Sequence, residues 1–264
     1  MYPFIELFGK QIPIYGICYY LGIALSAIVA VSICKKRNIE RYDIVYSAVY
    51  AVLAGALCAK LLFIGVSLRQ IIELKLSFIQ ILKGGFVFYG GLIGGAAGLA
   101  IYVKQFKLPA ADFFDIYAAA MPLGHAVGRV GCLFAGCCYG MEYDGPLSVT
   151  YNYSVGNTPI GVPLLPIQII EAVLLFVLFI ALMVLFFNTK VKYLVTATYI
   201  LSYAVIRFVI EFFRGDLERG KLAGFATSQW ISLALIMVTV ALMCLSAHRR
   251  NKAHESTPVN EFDS

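Results

Sequence analysis

Apolar residues gather into seven stretches: Tyr15–Cys34, Ile44–Val66, Phe86–Val103, Phe113–Phe134, Pro166–Phe187, Tyr193–Phe213 and Ser228–Ala247. Each approaches the roughly 20 residues a helix needs to cross hydrocarbon. Long continuous runs predict helices, and the ten-residue alternation of a membrane β-barrel is not seen. Gln168–Phe187 carries one charge, Glu171, and Ser228–Ala247 carries none. The third stretch is crowded by Gly84, Gly85, Gly90, Gly91, Gly94, Gly95 and Gly98, which suits closely packed membrane helices. In Val66–Gly85, Leu68, Ile71, Ile72, Leu76, Ile79 and Leu82 interleave with Arg69, Gln70, Glu73, Lys75 and Gln80. That pattern predicts an amphipathic segment lying flat on the membrane. The expected architecture is an all-α polytopic membrane protein of about seven spans. One domain covers residues 1–247, and a polar tail runs from His248 to Ser264. No repeat period and no inverted pair of broken helices suggests a secondary transporter.

Composition supports this reading. Of 264 residues, 61% are hydrophobic and 14% charged, against roughly 45–50% and 25% in ordinary globular domains. Mean hydropathy is +0.83. A water-soluble fold, a disordered chain and a secreted disulfide scaffold are all excluded. No basic leader with a cleavage pattern is evident in Met1–Lys10 and beyond, so a cleaved signal peptide is not expected. Lys35, Lys36, Arg37, Arg41, Lys104, Lys107, Lys190, Lys192, Arg249, Arg250 and Lys252 fall on one side of the seven-span arrangement. The other side holds fewer: Lys10, Arg69, Lys75, Lys83, Arg214, Arg219 and Lys221. The positive-inside rule then places the N-terminus outside and the C-terminus in the cytoplasm. The net charge of +6 needs no nucleic acid, since anionic lipid heads are the nearer partner. Both long connections, Val66–Gly85 and Gly136–Leu165, fall on the outer side, where function is expected.

Lys60, Arg129, Glu171, Arg207 and Glu211 lie within or at the edge of apolar stretches. An ionisable group there is costly and by default marks function. Tyr203, Arg207 and Glu211 are spaced by four and share a helix face, so Arg207 and Glu211 can pair. A structural ion pair locking two helices is the competing reading. Lys60 is close enough to the boundary to snorkel. The densest segment is Gly124–Gly140, GHAVGRVGCLFAGCCYG. Its glycines allow close approach of backbone or ligand, or simply of another helix. Arg129 among them offers a fork suited to phosphate. In a membrane protein without a P-loop, the nearest phosphate is a phospholipid head group.

Gly128–Gly140, GRVGCLFAGCCYG, resembles the signature of the prolipoprotein diacylglyceryl transferase family, GR-x-G-N-F-x-N-x-E-x-x-G. The resemblance continues in order along the chain. Ile14–Gly22 (IYGICYYLG) is similar to the family's first-helix YG motif, and Gly84–Gly94 (GGFVFYGGLIG) to GG-x-x-F-H-GG-x-x-G. Leu165–Glu171 (LPIQIIE) loosely matches HP-S/T-QLYE. Tyr203–Arg214 (YAVIRFVIEFFR) closely matches YG-x-x-RF-x-x-E-x-x-R, and Ala226–Leu233 (ATSQWISL) resembles MGQ-x-LS.

This resemblance implies a seven-helix enzyme of the bacterial inner membrane. Its reaction would move diacylglyceryl from phosphatidylglycerol to the cysteine thiol of a prolipoprotein signal peptide at the outer leaflet, forming a thioether and releasing glycerol phosphate. Arg129 and Arg207 match the family arginines given the task of phosphate stabilisation. Tyr15, Tyr203 and Glu211 match positions that line and order the site, and Gly128, Gly131 and Gly140 match the signature glycines. Tyr89 stands where the family has a histidine, commonly assigned as base; Cys132, Ala135 and Cys137 stand where it has Asn, Asn and Glu, and Leu165 replaces a second histidine. The implied catalytic set is Arg129, Arg207 and Tyr89. The implied substrate-binding set is Tyr15, Gly128, Gly131, Cys132, Cys137, Gly140, Tyr203 and Glu211. No cofactor or metal is implied. A related lipid-head transferase with another acceptor and a non-enzymatic lipid-binding or transport protein are the alternatives.

Seven cysteines remain. Cys18, Cys34, Cys58 and Cys244 read as small core residues. Cys132, Cys137 and Cys138 cluster at the expected site as replacements for amide and carboxylate. A nucleophilic thiolate, a disulfide and a soft-metal site with His125 all stay open, although no C-x2-C knuckle is present.

Overall fold

The computed structural model describes residues 3–7, 9–74, 77–155, 158–216 and 221–255. Lys75, Leu76 and Arg219, used above in the amphipathic and charge patterns, lie outside them, as do residues 256–264 of the tail. Nine α-helices are found among the described residues: α1 (Ile14–Ile33), α2 (Arg41–Val66), α3 (Leu68–Glu73), α4 (Phe78–Lys83), α5 (Phe88–Gln105), α6 (Ala110–Ala135), α7 (Ile167–Asn188), α8 (Leu194–Ile210) and α9 (Thr227–Glu255). Three two-stranded antiparallel pieces accompany them: β1 (Phe4–Leu7) with β2 (Lys10–Pro13), β3 (Val149–Thr150) with β4 (Pro163–Leu164), and β5 (Lys221–Leu222) with β6 (Phe225–Ala226).

The protein is an all-α polytopic membrane protein. Among the described residues, six helices are long and apolar enough to cross a membrane: Ile14–Arg37, Arg41–Val66, Ala110–Ala135, Ile167–Asn188, Leu194–Phe213 and Thr227–His248. Their outward side chains are apolar, as at Leu53 (65% exposed), Val177 (57%) and Met237 (66%), which is the surface lipid solvates. The third expected span forms α5, 18 residues long, whose five glycines dilute its apolar character; it is not among the six. The amphipathic segment is broken into α3 and α4. At α4, Ser77 accepts from the Gln80 amide while the Gln80 side chain accepts from the Ser77 amide, a capping box. The tail expected from His248 continues α9 as helix to Glu255.

Contacts divide the chain into two compact units, residues 1–26 with 118–264 and residues 27–117. In the latter, α2 and α5 pack along a glycine seam. A Cβ at Gly94 would meet the Ala54 carbonyl oxygen at 2.5 Å, and one at Gly98 the Tyr50 carbonyl oxygen at 2.5 Å. Only glycine lets these backbones approach so closely. Lys60 of α2 does not snorkel alone. Its Nζ donates to the carbonyls of Ile81 (3.2 Å), Leu82 (3.1 Å), Gly84 (2.9 Å) and Gly85 (3.2 Å) at the end of α4. The ammonium also lies 4.3 Å from the Phe86 ring centroid, a cation–π distance. Tyr102 donates to Asp43 at 2.9 Å, and Ser47 pairs with the Tyr117 hydroxyl at 2.8 Å.

In the other unit, α7, α8 and α9 pack with parts of α1 and α6. Gly22 of α1 and Gly124 of α6 touch backbone to backbone: a Cβ on Gly22 would lie 2.5 Å from the Gly124 oxygen. Ala126, Ala172 and Leu175 form a small core against which Tyr203 packs. Of the four cysteines expected as core residues, Cys34 is buried and Cys18 and Cys58 are partly buried, but Cys244 is exposed. A helix that is apolar on every face gives no periodic sign of which face is outward.

The seam makes a direct prediction. Gly94→Leu should lower stability by about 1–3 kcal/mol through overpacking. Gly95→Ala, whose Cβ meets the Ala51 oxygen at an ordinary 3.6 Å, should change it by less than about 0.5 kcal/mol. Thermal unfolding in detergent compares the two.

Candidate functional site

Four of the charges expected inside the bundle are brought to one place by α6, α7 and α8. Arg129 projects from the last turns of α6, Glu171 from the first turns of α7, and Arg207 from the end of α8. Glu211 follows in a 3-10 turn, Glu211–Phe213. Arg129 Nη2 lies 2.9 Å from Glu171 Oε1, and Arg207 Nη2 lies 2.6 Å from Glu211 Oε2. Glu171 is 1% exposed. An isolated carboxylate there would be costly, so the pairing is what lets both charges be buried.

Tyr203 joins the two pairs. It hydrogen-bonds Arg129 and lies within electrostatic reach of Arg207 and Glu171. The His125 ring packs edge-on against Tyr203 at 5.0 Å, so its side chain is taken up there. Neither guanidinium is used up by its carboxylate. Arg129 Nε and Arg207 Nη1 are buried with no hydrogen-bond partner among the described residues. Buried cationic N–H groups without acceptors are rare, and their chemistry suits an anion. Gly128, beside Arg129, leaves open space where a Cβ would stand.

The segment after α6 is held tightly. Gly136 takes φ +66° and Cys138 φ +57°, values that glycine tolerates and other residues rarely adopt. The turn is bonded from several directions. Ser154 Oγ donates to the Gly136 oxygen at 2.9 Å and Thr158 to the same atom; Gln168 Nε2 donates to the Cys137 oxygen at 2.9 Å. Tyr151, 1% exposed, donates to the Leu133 oxygen at 3.1 Å. Burial pushes its hydroxyl pKa up to about 12, which keeps the donor proton in place. Gly140 bridges to Arg214, and a Cβ on it would strike the Leu165 backbone. Arg214 is clamped by Asp216 through Nε (2.8 Å) and Nη2 (2.6 Å). The Cys138 thiol is held below the usual thiol range by hydrogen bonds from Cys132 and Cys137 and by the Arg214 guanidinium.

Of the residues expected from sequence, Arg129, Tyr203, Arg207 and Glu211 therefore form one cluster. Cys132 and Cys137 face each other and Cys138. A Cβ on Gly131 would meet Cys18 Cβ at 2.8 Å, so its position is set by helix packing. Tyr15 is 43% exposed on α1 and stacks on Tyr19 with centroids 6.3 Å apart. Tyr89 belongs to the unit of residues 27–117, in the first turn of α5, and is 37% exposed. Glu171 was visible as a lone charge in an apolar run and as the last residue of the loosely matching LPIQIIE, but its partner could not be read from spacing. Gln168 stood in the loosely matching LPIQIIE, and Arg214 closed YAVIRFVIEFFR. Tyr151 carried no signal at all.

Breaking the deeper pair should be costly. Glu171→Ala strands Arg129, with an expected loss of about 3–5 kcal/mol. Replacing both partners together, Arg129→Met with Glu171→Leu, should recover most of it. A thermal-unfolding double-mutant cycle measures the coupling.

Comparison with known proteins agrees with the motifs. The family model for prolipoprotein diacylglyceryl transferase matches residues 3–245. The phosphatidylglycerol–prolipoprotein diacylglyceryl transferase of Clostridium tetani is 33% identical over 247 residues, covering 93% of this chain and 97% of that protein. An enzyme of the same name from Clostridium perfringens is 30% identical over 237 residues (90% and 92% covered). One from Clostridioides difficile is 30% identical over 251 residues (94% and 97%).

Proposed function

Because the chain belongs to the prolipoprotein diacylglyceryl transferase family, we propose that it transfers diacylglyceryl from phosphatidylglycerol to the cysteine thiol of a prolipoprotein signal peptide. The observation that carries this reading is the pair of unpartnered buried guanidinium donors, Arg129 Nε and Arg207 Nη1, beside Tyr203.

The acceptor thiol gives up its proton, which ends on water or on the departing phosphate, and its sulfur attacks the glyceryl carbon that carries the phosphate ester. The carbon–oxygen bond breaks, and its electron pair leaves on the phosphate oxygen of glycerol phosphate. Charge therefore grows on the phosphate as the bond breaks. Preorganised donors aimed at it stabilise the transition state more than the ground state. Glu171 and Glu211 hold the two arginines in place, and Gly128 leaves room beside Arg129. Tyr15, Cys132, Cys137, Gly131 and Gly140 keep the lining and ordering roles that their family positions imply. Tyr89 has an auxiliary role, since proximity and leaving-group stabilisation can carry much of the rate.

The reaction is placed in the bacterial plasma membrane, with the site toward the outer face, the N-terminus outside and the C-terminus in the cytoplasm. The distribution of Lys and Arg supports that orientation. Phosphatidylglycerol and the signal peptide are the partners, with membrane lipid as solvent and no nucleic acid.

Two experiments test these assignments. The wild-type chain should restore lipoprotein modification, read by mass spectrometry, in a strain depleted of its own transferase. Arg129→Ala and Arg207→Ala should each cut transfer by about 100–1000-fold while still inserting into the membrane, and Arg129→Lys should rescue poorly because a point charge cannot replace the fork. Near-normal transfer by Arg129→Ala removes the phosphate assignment. In whole cells, an impermeant thiol reagent should reach cysteines introduced within the 143–155 segment and not cysteines replacing Lys36 or Arg250. The reverse pattern would place the site on the cytoplasmic face.

A further inference from the structure

Three thiols meet where α6 ends. The Sγ atoms of Cys132, Cys137 and Cys138 all lie within 4.8 Å of one another. The fold builds this cluster. After Ala135, the positive φ of Gly136 and Cys138 turns the chain back over the last turn of α6. The Cys137 amide donates to the Cys132 carbonyl at 3.2 Å. Gln168 secures the Cys137 carbonyl, Ser154 the Gly136 carbonyl, and the Gly215 amide donates to the Tyr139 oxygen at 3.0 Å. None of the seven cysteines is joined in a disulfide.

Thiols are weak hydrogen-bonding groups. Three of them converging on a pinned turn make a donor set suited to a soft cation. A zinc–thiolate bond is about 2.3 Å, which sets sulfurs around one ion about 3.8–4.0 Å apart. The observed spacing, within 4.8 Å, is close to that. Arg214 touches Cys138, and the charge of Arg129 reaches Cys132, so the excess negative charge of three thiolates has cationic neighbours. Among the described residues no histidine or carboxylate joins the group, and His125 is packed against Tyr203.

We propose that Cys132, Cys137 and Cys138 form a three-thiolate site for a soft d10 metal ion, Zn2+ or Cu+. The three sulfurs complete a trigonal site for Cu+. With Zn2+ they leave one position for a ligand from outside the cluster, the open arrangement of zinc centres with three protein ligands. Binding would tie the end of α6 to the turn beside Arg214, in the same unit as Arg129. The site stands on the sulfur geometry and does not depend on the transferase reading.

The full chain, purified in detergent under reductant, is titrated anaerobically with Co2+ as a spectroscopic probe. One equivalent should bind with a thiolate-to-cobalt charge-transfer band that Zn2+ abolishes. Parallel titrations with Zn2+ and Cu+ against chelators decide which ion is held more tightly. Loss of an outer partner of a metal ligand already costs about 10–100-fold in affinity, so Cys132→Ser, Cys137→Ser and Cys138→Ser should each cost at least that. Cys244→Ser, at an exposed position, should cost nothing. A readout independent of variant folding is protection: the metal should shield Cys132, Cys137 and Cys138 of the wild type from alkylation while Cys244 stays reactive. Absence of the band and of protection in fully reduced protein overturns the site, as does a disulfide within the trio that re-forms in the presence of metal. Lipoprotein transfer is assayed on the same preparation, so loss of activity with metal binding intact indicts the transferase reading alone.

Discussion

The Arg129–Glu171 contact sets the terms for this unit of the protein. Hydrocarbon solvates neither ion, so each can be buried only where the other is held, and α6 and α7 must meet at that depth. The contact is not self-sufficient. Tyr203 bonds to the guanidinium from α8, and Arg207 with Glu211 repeats the device one helix further on. What remains is cationic hydrogen-bonding capacity that no described residue absorbs. A structural ion pair and the proposed phosphate site are therefore compatible: each carboxylate fixes its arginine and leaves N–H groups over.

The opposite strategy joins α2 to α5. There the chain removes side chains altogether, so that backbone meets backbone along Gly90, Gly94 and Gly98. Lipid offers no hydrophobic drive to bring helices together, and close van der Waals packing takes its place. Charge pairing between α6 and α7 and absent side chains between α2 and α5 are two answers to the same solvent, and Gly22 against Gly124 repeats the second beside the first.

How much of this was legible in sequence follows from the physics of each signal. Span boundaries came within a few residues because run length is imposed by bilayer thickness. Arg129, Arg207 and Glu211 stood out because charge is so rare in such runs. The partnership of Arg129 with Glu171 joins residues far apart in the chain, and local spacing holds no record of it. Cys244 was misplaced because lipid and protein interior favour the same side chains, which leaves no periodicity to read. The β1–β2 hairpin and the split between α3 and α4 were missed because short polar elements are decided by a few turn and capping residues, not by composition. The six family-like motifs contain Arg129, Tyr203, Arg207 and Glu211, which the fold brings together, and Gln168 stood in the loosest of them. They said nothing of Tyr151, which bonds the last turn of α6.

The Lys60 ammonium is met by four carbonyl oxygens and the Phe86 ring and, among the described residues, by no carboxylate, so α2 is tethered to the end of α4 without an acid partner. The exposed pairs Lys35–Glu40 and Arg69–Glu73 fade as ionic strength rises and vanish once their carboxylates are protonated. A tether made of peptide dipoles has no acid partner to lose. The tie between α2 and the end of α4 is thus decoupled from acidity and salt over the range in which the lysine stays charged. It is a form of environmental insulation built largely from main chain.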